Sequence, residues 1–261
     1  MRCRPIGILA VVFLTSGRSV EAQWTDPKLI AGQVGFNVAV SFFGQIFHGE
    51  SPGRAIKTAL ADGAVSGALA HTGYCITGRN PDWALVGKAL AQKSALTTKR
   101  SLDGKPVFDR TLLTHWELTY SFVHIEWLDE PDIEIDAINA AFSSYYLLAG
   151  DPYRLDASRS LLSGSLVFEN VSDTGATRGF YVPGVVWIRE ADYDDRSVLG
   201  HELVHSLQAE RGSSIDERHF GIFRVNWLAF ASGVPAFVSG WPAHDRRPHE
   251  IEADAYSTSR R

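Results

Sequence analysis

The ten residues Val198-Leu199-Gly200-His201-Glu202-Leu203-Val204-His205-Ser206-Leu207 constrain this chain more than any others. Two histidines four positions apart lie on one face of an α-helix, about a turn from each other. At that spacing two imidazoles can share one tetrahedral ion. The spacing matters only if the segment is helical and packed on its other faces. Asp194 and Asp195 offer a cap before it, Gly212 offers a stop after it, and Val198, Leu199, Leu203, Val204 and Leu207 supply apolar surface. Glu202 flanks the first histidine, within reach of a water polarised by the ion, and is the expected general base.

Two imidazoles do not complete a catalytic zinc site, which usually has three protein ligands and one open position. The third ligand is expected in Pro248-His249-Glu250-Ile251-Glu252-Ala253-Asp254-Ala255-Tyr256. Pro248 suits the first position of a helix, on which Glu250, Ala253 and Asp254 then share a face. Glu250 takes the ligand role. Asp254, one turn on, is placed to accept the other N–H of a ligand histidine and fix its tautomer, and Ala253 keeps the space between them clear. Glu252 competes for the ligand role, but its helical direction differs from that of Glu250 by about 200°. His244, His249, His219 and Tyr256 are the candidates for stabilising a developing oxyanion. His115 and His124 fall in expected strands and are read as structural.

H-E-x-x-H followed by E-x-x-A-D resembles the gluzincin metallopeptidases, especially the group of CAAX prenyl proteases and their bacterial heat-shock membrane relatives. The likeness spans about residues 197–257. It implies one Zn²⁺ held by His201, His205 and Glu250, with Glu202 as general base, Asp254 as the orienting carboxylate, and a peptide or protein as substrate. Two departures limit the transfer: the chain lacks the several unmistakable spanning helices of that membrane group, and the gap between His205 and Glu250 is long for a compact site. A zinc-stabilised envelope-binding or assembly module without proteolysis is the rival expectation. It is motivated by the short end after Asp254 and the unassigned oxyanion donor.

The rest of the chain bears on location and fold. Arg2 and Arg4, the apolar stretch Ile6 to Leu14, and Val20-Glu21-Ala22 read as a cleavable leader over residues 1–22, so export to a periplasm or the medium is expected. The formal charge of −5 gives no support to a nucleic-acid role. Cys3 leaves with the leader, and Cys75 alone can make neither an internal disulfide nor a cysteine-rich zinc site.

Leu29 to Phe47 carries no charge, and Gln33, Asn37, Ser41 and Gln45 recur every four residues on one helical stripe. Ala55, Ala59, Gly63 and Gly67 form a ridge of small side chains that lets a second helix approach closely. The two segments predict a tight helical hairpin, buried in the protein or membrane-associated through residues 29–76. A third helix is expected from Asn80-Pro81 to about Ala95.

From Thr114 the texture turns aromatic and β-branched over Trp116 to Trp127, Arg159 to Glu169 and Phe180 to Arg189, which predicts an antiparallel meander. Ile133 to Leu148 fits a strand or a helix. Gly184 to Arg189 is the strand expected to present an edge to an extended peptide. The fold expected is therefore α+β, with a helical region over residues 23–100 and a β-meander plus zincin-like catalytic region over 101–261.

Overall fold

Asp26 accepts a hydrogen bond from the Lys28 amide, at 2.9 Å, and with Pro27 starts helix α1, Pro27–Phe47. The structure is a computed structural model and describes residues 26–105, 114–128, 130–172, 177–213, 217–220, 222–226 and 248–257. The leader expected over residues 1–22 lies outside them.

Helix α2, Pro52–Arg79, returns along α1. The small ridge is the reason they pack so closely. Ala55 and Ala59 are fully buried, and a Cβ added to Gly63 or Gly67 would come within 2.6 Å of the Cα of Val38 or Val34. The chain then makes a 3-10 turn, Pro81–Trp83, before helix α3, Ala84–Leu102. Asn80 gives that turn no side-chain cap, and the α-helix begins later and runs further than the Asn-Pro signal suggests.

The fold is α+β, as the sequence texture predicts, but the strands do not form one meander. Strands β1 (Trp116–Tyr120), β2 (Val123–Trp127) and β3 (Pro131–Asp136) are successive antiparallel neighbours. Strand β9 (Phe223–Asn226) then joins β3 in parallel, with β8 (Glu217–Phe220) outside it. The second sheet has the order β4-β5-β7-β6, from β4 (Tyr153–Asp156), β5 (Leu166–Asn170), β6 (Gly179–Val182) and β7 (Val185–Arg189), and its central β5–β7 pair is parallel.

Two other segments combine strand and helix. Asp136 accepts from the Ile138 and Asn139 amides at 3.1 and 2.9 Å, which ends β3 and starts helix α4, Ala137–Ala149. Ile133 to Leu148 is thus part strand and part helix. The run from Arg159 to Glu169 opens in helix α5, Ala157–Ser163, capped by Asp156 and closed by Gly164 at φ +72°.

Helix α6, Arg196–Ser213, is the hub. Val198, Leu199 and Leu203 pack on Val167, Val186 and Ile188 of the second sheet. Val204 and Leu207 pack on Tyr74, Cys75 and Ala91 of α2 and α3, and on Ala253 and Tyr256 of helix α7, Pro248–Ser257. Lys88 of α3, fully buried, pairs with Glu210 of α6 at 2.7 Å and donates to the Gly164 carbonyl at 2.9 Å. These contacts hold α6 from both sides.

Candidate metal centre

Asp195 caps α6, accepting from the amide and hydroxyl of Ser197 at 2.9 and 2.6 Å, and it also pairs with Arg178 at 2.7 Å. Gly212 does not stop the helix, which runs on to Ser213. The seat of α6 is set by glycines. A Cβ on Gly200 would collide with the carbonyl oxygen of Gly78, and one on Gly78 would collide with the backbone of Tyr256. The end of α2 therefore receives both α6 and α7 at backbone contact.

That seating brings three side chains to one point. His201 Nε2 lies 3.0 Å from Glu250 Oε2, His205 Nε2 lies 3.1 Å from the same oxygen, and the two Nε2 atoms are 3.0 Å apart. Hydrogen bonds alone do not satisfy such a triangle, because an imidazole nitrogen cannot donate and accept at once. A dication with bonds of about 2.0–2.1 Å sets neighbouring ligand atoms about 3.3 Å apart in a tetrahedron, close to the spacing seen.

The outer nitrogens decide the tautomers. His201 Nδ1 is 3.0 Å from Asp254 Oδ1, so it carries the proton and donates. His205 Nδ1 is 2.7 Å from Gln208 Oε1. The orientation of that amide is fixed, because Gln208 Nε2 faces two acceptors, the His249 carbonyl and Glu252 Oε2, both at 2.9 Å. His205 Nδ1 is therefore also the donor. With each Nδ1 as donor, the neutral form of either ring turns its Nε2 lone pair toward Glu250 Oε2. The donor set, two imidazoles and one carboxylate, fits zinc.

Glu202 stands beside this corner, 7% exposed. Burial pushes its carboxyl up to about 6, with Glu250 and Asp254 adding to the effect while His205 and His201 oppose it. A Cβ on Gly179 would lie 2.9 Å from Glu202 Cγ and 3.0 Å from Oε1, so the first residue of β6 walls the carboxylate. Burial pulls the His205 imidazole down, but the Glu250 hydrogen bond and the charges of Glu202 and Glu250 outweigh it and leave the ring above its ordinary value.

Glu252 is not at the corner. Its oxygens accept from Gln33 of α1 at 2.7 Å and from Gln208. His249 sits at the rim, its Nε2 3.3 Å from Glu250 Oε1 and its ring 5.7 Å from that of His205. Tyr256 faces away: it is fully buried against Tyr74, its hydroxyl 3.0 Å from His71 Nδ1. His244 and the side chain of His219 lie outside the described residues. His124, in β2, pairs with Thr119 at 3.0 Å, whereas His115 lies just before β1, 2.6 Å from Glu126 and 3.8 Å from Glu117, and these three form a second group spaced to hold a metal ion.

The chain matches no family model, no curated protein and no solved structure.

Proposed function

We propose that this chain is a zinc-dependent peptidase of the gluzincin kind, acting outside the cytoplasm. The observation that carries the reading is the convergence of the His201 and His205 lone pairs on Glu250 Oε2, with each Nδ1 engaged by its own acceptor. The export half rests on the leader read in residues 1–22. A zinc ion held by His201, His205 and Glu250 would act as a Lewis acid on the scissile carbonyl and acidify a water beside it.

The protein supplies the rest. Glu202 accepts the proton of the attacking water and passes it to the departing amine, which needs a base whose affinity for protons is raised toward neutrality. Asp254 and Gln208 hold the two imidazoles in the tautomer that presents Nε2. His249 is the remaining described candidate for facing the oxyanion, since the Tyr256 hydroxyl points elsewhere.

The substrate edge differs from the one expected. Strand β7 is interior, between β5 and β6, so its backbone is already paired. The outer strand is β6, whose Gly179 touches Glu202. A peptide adding to β6 by main-chain hydrogen bonds would pass the general base.

The test is a peptide-library digest. Wild type is expected to cleave, and Glu202→Gln to keep zinc while losing about 10²–10⁴-fold in rate. Zinc binding by wild type with no cleavage above the Glu202→Gln background would favour the non-proteolytic envelope module.

A further inference from the structure

Helix α1 is inside out for a protein in water. Its polar stripe Gln33, Asn37, Ser41 and Gln45 is buried, while Phe36, Phe43 and Phe47 are 48%, 55% and 82% exposed. The buried groups are satisfied within the helical layer. Asn37 donates to the Gln33 carbonyl and accepts from Thr98, both at 2.7 Å; the Ser41 and Ser101 hydroxyls are hydrogen-bonded; Ser101 donates to Asp62 at 3.0 Å. Helix α2 extends the outer face with exposed Ile56 and Leu60, then Ala64 and Ala68.

We propose that this face of α1 and α2 docks on the acyl surface of an anionic membrane, both helices lying in the interfacial plane. Three observations select lipid as the occupant. Among the described residues α1 is the one helix long and apolar enough to cross a membrane, yet only 28% of that stretch is buried, whereas a soluble core helix would be mostly covered. Leu29 to Phe47 has no charge, so the face offers hydrocarbon and no polar group for a protein partner to pair with. Exposed cations stand at its ends, Lys28 at one and Lys57, beside an Arg54 paired with Glu50, at the other, complementary to anionic headgroups.

A spanning arrangement is disfavoured by α3. That helix backs α1 and α2, and a span would carry Lys88, Lys93, Lys99 and Arg100 toward hydrocarbon. Lying in the plane keeps α3 on the aqueous side. It also holds the metal centre near the membrane surface, since Gln33 of α1 reaches Glu252 of α7.

Flotation of the full chain with vesicles tests this, using phosphatidylcholine alone and phosphatidylcholine with about one third phosphatidylglycerol. Wild type is expected to float with the anionic vesicles and to partition at least about tenfold better than Phe36→Ser/Phe43→Ser/Phe47→Ser. Lys28→Gln/Lys57→Gln should weaken binding to the anionic vesicles only. Unchanged circular dichroism and zinc content show that each variant is folded, and binding is expected whether or not the peptidase reading holds. The proposal is overturned if the triple variant floats as well as wild type, which would assign binding to another segment. It is equally overturned if wild type floats with neither vesicle, including the case where it forms lipid-free dimers that the triple variant breaks.

Discussion

Glu202 is held by the fold in a state that the proposed general base needs and stability does not. Its carboxyl, raised by burial to about 6, keeps its proton more tightly in the folded chain than in the unfolded one. The stabilisation from the neutral form is therefore complete below the ordinary carboxyl value of about 4.3 and is lost as pH rises through about 6. In the zinc-free protein this amounts to about 2 kcal/mol between roughly pH 4 and 7, because each tenfold change in proton affinity is worth about 1.4 kcal/mol. Glu202→Gln should flatten that part of the profile, leaving the zinc-free variant the more stable at neutral pH, as urea unfolding across pH would reveal. A parallel decline in wild type and variant would mean that the carboxyl is not perturbed. Gln208 offers a second test at this scale. Gln208→Ala removes the acceptor of His205 Nδ1 while sparing all three proposed ligands, and it should weaken zinc binding about 10- to 100-fold in chelator competition. Gln208 is within reach of a sequence reading, because position i+3 on a helix neighbours a ligand histidine. Gly179 is not: only the fold brings β6 onto Glu202.

Helix α6 shows which elements local sequence specifies. Its cap, its apolar faces and its pair of histidines all obey rules that operate within four residues, so the helix is legible. Its seat is not. Gly200, mid-helix, carries a penalty of roughly 0.5–1 kcal/mol relative to alanine, which is a signal that something approaches closely, but not of what. The structure supplies Gly78. Gly200→Ala should force α6 off α2, destabilise the fold by about 1–3 kcal/mol despite its better helix propensity, and lower zinc affinity by shifting His201. A variant as stable as wild type would show that the two helices have room to separate. Helix α5 is hidden by a strand-like run although its marks are local: Asp156 at its start and the left-handed Gly164 at its end outrank that texture. Strand β7 reads as an edge because nothing in its own residues reports that β6 pairs outside it.

At the scale of the molecule, the α+β class, the close hairpin and the grouping of His201, His205, Glu250 and Asp254 are readable, because each rests on periodicity or motif spacing. The parallel β5–β7 and β3–β9 pairings are not, because they join strands separated by helices and loops, and no local pattern encodes such a partner. The polarity of α1 is half readable. The four-residue polar repeat is plain, but whether it turns inward depends on partners in α2 and α3. The N-terminal helices thereby become part of the candidate metal centre: α2 seats both α6 and α7, and α1 reaches Glu252 and, through Gln208, His205. In the proposed function His201, His205 and Glu250 hold one zinc ion. Zinc content and affinity of purified wild type, Glu250→Ala and Glu252→Ala test it most directly. Wild type is expected to bind one zinc per chain, Glu250→Ala to lose tight binding, and Glu252→Ala to retain the stoichiometry. Wild type without stoichiometric zinc after metal-replete refolding, or loss of the metal in Glu252→Ala but not in Glu250→Ala, would contradict it.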